Sequence, residues 1–334
     1  MKYIEAIKDG FSLINRNWQL VLIQVGMIFT IVLAFFIIVG IPLAIAFIMF
    51  GIDLTTMTSV ENILQMFRGT SDLLSRYLGL IFMVLASFVV YFLAVAMLEI
   101  YVFGGSVGVI GRSVLEENLK FSVRIFMEEA KRLFLRLIGF TSVMGIIFII
   151  ASFFLGLLVG GIAAIISFAQ SQDSTLALFF GIFFSLILII LLFAMILGIL
   201  SITLYGIAAL FFQGTGVFKS VRGAIKFLKT YPNGFWLYSV LFVGHLLASF
   251  LLSLLVYPFT FIPLVGPIFS FPYQLVSIGF QTYLGLVIIA IVLSYYYRKE
   301  FPTEPAVGMN EKPDRELSSE KGNATSETEA QENA

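Results

Sequence analysis

TYPNGFWLYSVLFVGHLLASFLLSLLVYPFTFIPLVGPIFSFPYQLVSIGFQTYLGLVIIAIVLSYYY, residues 230–297, contains no Asp, Glu, Lys or Arg. A helix that crosses the roughly 30 Å hydrocarbon layer of a bilayer needs about 20 apolar residues. The run is too long for one crossing and suits two. Its turn is marked by Pro258, Pro263, Pro267 and Pro272, because proline removes a backbone donor and breaks the helical ladder. The uncharged connection 258–272 has two readings: a turn at the surface, or a segment that re-enters the lipid with its irregular backbone covered by protein or water.

Working outward, the other charge-free runs are 18–52, 77–98, 137–172 and 174–218. Together they predict an all-α integral membrane protein with six transmembrane helices, near 18–41, 77–103, 137–161, 176–206, 235–257 and 273–297. The first run continues past Pro42 to Gly51, which predicts a kink or tilt near Gly40 and Pro42. Thr55–Arg68 has apolar residues at helical spacing and is expected to form a short surface helix. The third and fourth spans are joined by a short connection, Gln170 to Ser174.

Composition supports this reading. The chain is 60% apolar and 12% charged, with a mean hydropathy of +1.02, against about 25% charged residues in an ordinary soluble domain. There are no cysteines and one histidine, so thiolate metal sites, disulfides, cysteine nucleophiles and paired-histidine metal sites are excluded. Neither a phosphate-binding loop nor a Ser-His-Asp set is present. No cofactor, metal or nucleic acid is expected, and the chain does not read as an enzyme.

A net charge of zero hides a division. Residues 1–300 form the membrane domain and carry a formal charge of +5, whereas 301–334 carry −5. The second segment is rich in Glu, Ser, Asn and Thr and reads as a disordered acidic tail. Asn323-Ala-Thr fits a glycosylation triplet, but the topology below places it in the cytoplasm. Residues 1–17 hold Glu5 and Asp9 and do not read as a signal peptide. Lysine and arginine fall unevenly between the spans, 18 on the side of the termini and the 2-3 and 4-5 connections against 2 on the other. The positive-inside rule then puts both termini in the cytoplasm of a cytoplasmic (inner) membrane.

Each odd-numbered span follows a polar segment of helical period, so the chain reads as three units, 1–111, 112–216 and 217–300. Each unit is an amphipathic interfacial helix followed by a transmembrane hairpin. In the first, Ile4, Ile7, Phe11, Ile14 and Trp18 share a stripe. In the second, Leu115, Leu119, Ser122, Phe126, Ala130, Leu133 and Leu137 do so, with Glu116–Lys120 and Glu128–Arg132 as i,i+4 pairs. In the third, Lys219, Arg222, Lys226 and Lys229 share one face opposite Phe218, Val221, Ile225 and Leu228. That basic face is the candidate for anionic lipid.

Glu99 is a carboxylate inside a span, and such residues usually face a cavity or a partner. His245 either titrates near neutrality or donates an interhelical hydrogen bond. Gln274 and the nearby tyrosines either line a path or join helices. Gly104-Gly108 and Gly156-Gly160 fit the GxxxG spacing of close helix contacts, and glycines at 104, 105, 108 and 111 would let backbones approach.

The segments IKDGFSLINRNWQLVL at 7–22 and SVRGAIKFLKTYPNGFWLYSV at 220–240, with the exit SYYYRKE at 294–300, resemble a group of prokaryotic six-helix membrane proteins. That group includes the membrane domain fused to some glycerophosphodiester phosphodiesterases. The resemblance covers residues 1 to about 300 and implies three related hairpins in one bundle. No catalytic domain follows the helices, so it carries over no catalytic residue. The function expected is a non-enzymatic accessory protein that binds membrane lipids, anionic ones among them, or a protein partner at the cytoplasmic face or the acidic tail. The alternative is a small transporter lined by Glu99, His245 and Gln274. An intramembrane enzyme is a third reading, disfavoured because no nucleophile has a base beside it.

Overall fold

The structure, a computed structural model, describes residues 3–55, 70–116, 119–260 and 265–301, with side chains described outside 51–76 and 256–271. Among the described residues every regular element is helical: α1 (Tyr3–Arg16), α2 (Gln19–Phe35), a π-turn (Phe36–Gly40), α3 (Ile41–Thr55), α4 (Thr70–Leu115), α5 (Val123–Gln172), α6 (Ser174–Phe212), α7 (Val217–Thr230), α8 (Pro232–Thr260) and α9 (Val265–Glu300). Six helical stretches are long and apolar enough to cross a membrane: Gln19–Phe50, Tyr77–Leu115, Val123–Gln172, Ser174–Phe212, Pro232–Leu255 and Pro272–Glu300. They correspond in order to the six expected spans, and most run further at one or both ends. The surface helix expected at 55–68 and the acidic segment 302–334 lie outside the described residues.

Local chemistry sets the breaks. Pro42 cannot donate to the carbonyl one turn before it, and the backbone absorbs the loss in the π-turn at Phe36–Gly40, where the sequence predicts a kink. Asp173 is the single residue between α5 and α6. Its extended backbone stops α5, and its carboxylate accepts from the Thr175 amide at 2.8 Å to cap α6. Pro232 opens α8, the position where a missing N–H costs nothing. Between α8 and α9 only 261–264 remain, and these lie outside the described residues. The expected 258–272 connection is therefore mostly helical backbone, with Pro272 inside α9.

The separate surface helix of the second unit is not found. The segment forms the first turns of α5, which runs unbroken for 50 residues, because nothing between Val123 and Phe140 acts as Pro232 does between α7 and α8. Phe126, Ala130, Leu133 and Leu137 of the expected stripe are buried, whereas Leu115 is exposed at the end of α4. Ser122 precedes the helix in extended conformation without a side-chain cap bond.

Contacts between helix ends place the end of α4, the start of α5, the end of α6, the start of α8 and the end of α9 together, at what we call the proximal end. The core sits there. Its buried apolar side chains come from Val102–Ile110, Phe126–Met144, Leu197–Phe211, Leu237–Tyr238 and Leu286–Tyr296, with α1 and α7 packed on it. α9 is the hub, touching α1, α2, α4, α6 and α8. The distal halves present Phe153, Phe154, Ile182, Phe183, Ile189 and Leu255 outward. This is the surface expected of helices solvated by acyl chains.

Glycine permits the closest crossings. A Cβ on Gly108 of α4 would lie 2.3 Å from Glu129 Cβ of α5, and one on Gly111 would lie 2.3 Å from the Phe211 ring of α6. Gly104 and Gly105 face Leu137 and Phe126 in the same way. The second GxxxG pair is different: Gly156 and Gly160 have nothing within 4 Å. Substituting Gly108 by Ala is therefore expected to lower stability by about 1–3 kcal/mol through overpacking, whereas Gly160→Ala leaves it unchanged or slightly raised. Thermal unfolding of the two variants in the same detergent, followed by size-exclusion recovery, measures the contrast.

Candidate functional site

The α7 helix is a 14-residue element whose faces differ more than the sequence alone suggests. Ser220, Val221, Ala224 and Phe227 are buried against the bundle. Phe227 is the anchor, its ring centroid 5.1 Å from Tyr205 and 4.7 Å from Tyr296. Tyr205 in turn donates to the Gly234 carbonyl at 2.9 Å, and Gln213 donates to the Tyr296 hydroxyl at 2.8 Å. Lys219, Arg222, Lys226 and Lys229 are all exposed on one face. Of the expected opposing stripe, Val221 is buried but Phe218 is 76% exposed and Ile225 is also outward. The exposed apolar residues therefore lie beside the basic face rather than opposite it.

Two clefts flank this outward stripe. One, about 380 Å³, lies between α5 and α7 and is lined by Val143, Ile146, Ile147, Phe218 and Ile225 with Arg222. The other, about 320 Å³, is lined by Ile202, Ile225, Leu228, Phe235 and Trp236 with Lys229. Each is an apolar slot with one cation among its walls. α1 repeats the division. It buries Ala6, Gly10 and Ile14, with Gly10 against Ile291 of α9, and leaves Ile4 and Phe11 outward, as is Trp18 just before α2. Arg298 pairs with Asp9 at 2.6 Å and Tyr283 donates to Asn15 at 2.7 Å, while Asn17 donates to Ser113 Oγ at 3.3 Å. These bonds fix α1 across α4 and α9.

The remaining sequence candidates are not drawn together. Glu99 is exposed on α4 and makes no hydrogen bond or ion pair with a described residue. Gln274 is exposed on α9, and His245 of α8 is half-buried with Nδ1 lacking a partner among the described residues. None of the three lines a cavity described in this article. A largely apolar cleft of about 590 Å³ lies between α3 and α4, lined by Leu43, Phe47, Leu80, Val84 and Phe88 with Tyr77.

A charged cluster that sequence reasoning missed lies at the proximal end. Glu129 of α5 is fully buried, and its two carboxylate oxygens lie 2.6 Å from Arg112 of α4 and 2.5 Å from Arg132 of α5. The guanidinium of Arg132 also lies over the Phe211 ring at 5.1 Å. The expected Glu128–Arg132 pair does not form: Glu128 sits on the outer face and accepts from Arg124 at 3.0 Å, while Glu129, one residue on, turns toward Gly108. No pattern in the sequence distinguishes Glu129 from its neighbour except its place on the stripe Phe126–Ala130–Leu133. Arg112 and Arg132 then line a cavity of about 340 Å³ with Leu115, Glu116, Phe211, Phe212, Tyr297 and Phe301.

No family model, curated protein or solved structure matches the chain.

Removing the shared carboxylate would leave two half-exposed cations facing each other across a buried amide. Glu129→Gln is expected to cost about 1–3 kcal/mol, and thermal unfolding checks it, with Arg132→Gln added to the same chain expected to recover part of the loss. Phe227→Ala is expected to cost about 3–5 kcal/mol by opening a cavity, and to raise hydrogen exchange along α7 before the rest of the bundle.

Proposed function

We propose that this chain is a non-enzymatic, multi-pass protein of the cytoplasmic membrane that binds anionic lipid through its proximal face. The observation that carries the reading is the outward face of α7, where an exposed apolar stripe adjoins four exposed cations and is flanked by apolar clefts. A helix of this kind lies at the boundary between acyl chains and headgroups, apolar side in lipid and cations toward phosphate. α1, with Ile4 and Phe11 outward, and Trp18 at the start of α2 support the same placement. Trp236 beside α7 is a residue type that prefers that layer.

The positive-inside count supports placing the proximal end and both termini in the cytoplasm. Three hairpins, α2–α3 with α4, α5 with α6 and α8 with α9, are consistent with the helix contacts and with the resemblance to the six-helix group. α1 and α7 serve as amphipathic helices before the first and third hairpins. A protein partner at this face or at the acidic tail is the competing occupant. The transporter reading loses support, because Glu99 and Gln274 are outward-facing and neither shares a described cavity with His245.

Native mass spectrometry of the full chain, extracted gently and offered equimolar phosphatidylglycerol and phosphatidylcholine, is the test. Wild type is expected to retain the anionic lipid preferentially. The variant K219E/R222E/K226E/K229E is expected to lose that preference by tenfold or more, given about 1 kcal/mol per cation at an anionic surface. Equal lipid retention by both proteins would remove the proposal, and a stoichiometric protein in its place would favour the partner.

A further inference from the structure

We propose that the cavity at the junction of α4, α5, α6 and α9 is a binding site for a phosphate oxyanion, held by Arg112 and Arg132. It is separate from the α7 face and does not rest on the lipid reading given above.

The argument begins with the charge balance. One buried carboxylate, Glu129, stands between two guanidinium groups, so this trio carries one positive charge in excess, which only the Glu116 carboxylate in the cavity wall opposes. A guanidinium has five N–H donors in a rigid fork, and each arginine turns one terminal nitrogen to Glu129. The two side chains are 35% and 47% exposed, and both line the cavity, so donors remain on the open side. Because a single carboxylate spans both groups from below, a tetrahedral oxyanion can span them from above.

Position is fixed before any ligand arrives. Arg112 is held from α4 and Arg132 from α5 by the same buried anion, and Arg132 is further held over Phe211. Two cations kept close together cost electrostatic energy that a second anion relieves. Arginine suits such a task better than lysine, since its fork meets phosphate oxygens in pairs. The other walls are largely aromatic, including Phe211 and Tyr297. Glu116 at the rim works against it, lowering affinity and disfavouring ligands of higher negative charge.

A phosphate group reaches this site either as a soluble ion or as the phosphodiester of a lipid headgroup. The experiment uses the full chain in neutral detergent, with inorganic phosphate as one probe and monomeric dihexanoyl phosphatidylglycerol as the other. Thermal unfolding is followed against chloride at matched ionic strength, and adducts are counted by native mass spectrometry. At least one probe is expected to raise the unfolding midpoint in a saturable way. Glu116→Gln is expected to tighten that binding about fivefold by removing one opposing charge. The double variant R112Q/E129Q, which loses a cation together with its buried partner, is expected to weaken it at least tenfold. A response to the lipid alone assigns a headgroup site, and a response to phosphate alone or to both assigns a soluble ligand or a shared one. If neither probe shifts the midpoint beyond chloride, or Glu116→Gln leaves affinity unchanged, the arginines serve only as a clamp between helices and the proposal fails. The α7 variant K219E/R222E/K226E/K229E keeps the response if the two sites are distinct.

Discussion

Between Ala290 and Tyr296 the last helix is buried around its full circumference, and α1, α2, α4, α6 and α8 take their positions from it. A helix covered on all sides needs no polar face, which is why residues 286–297 contain no charge at all. The cost falls on its neighbours, which have to approach closely enough to cover it. α1 does so with Gly10 at Ile291, and α6 does so with Tyr205 and Phe212 against Tyr296. The aromatic cluster around Tyr296 then provides the floor on which Phe227, and with it α7, is seated.

Charge is placed with the same economy. Arg112 and Arg132 are partners in the contact between α4 and α5. Burying Glu129 alone would be expensive, and the two guanidinium groups with the glycine at 108 are what make the burial tolerable. The lysines and arginine of α7 carry no such obligation. They stand exposed on the outer side of a helix already held by Phe227, free to face phosphate or water.

Much of the architecture was legible because it rests on one-dimensional signals. The uncharged runs located all six long apolar helices, Pro42 marked the π-turn, and Pro232 marked the break between α7 and α8. Where the sequence misled, the reason was the third dimension. The second amphipathic segment has the same period as the others, yet with no proline to end it the helix continues through Gly139 as part of α5. Helical spacing put Glu128 with Arg132, but the side of α5 that meets α4 decided for Glu129. The two GxxxG matches are equivalent on paper, and only the one facing α5 at the packed end meets another chain segment. Of the candidate residues, the basic face was visible from spacing alone. The arginine–glutamate cluster draws its members from two helices and was not.

Asp173 stands alone between helices of 50 and 39 residues. A connection that short leaves no slack, so α5 and α6 cannot slide or rotate independently of each other. Each residue of a helix advances the phase by about 100°, and one residue gained or lost at this junction would swing the whole of α6 against α5. The consequence is felt at the opposite end of α6, about 58 Å away by helical rise, where Phe211 lies beneath Arg132. A length change at Asp173 is therefore a change in the contact between Phe211 and Arg132.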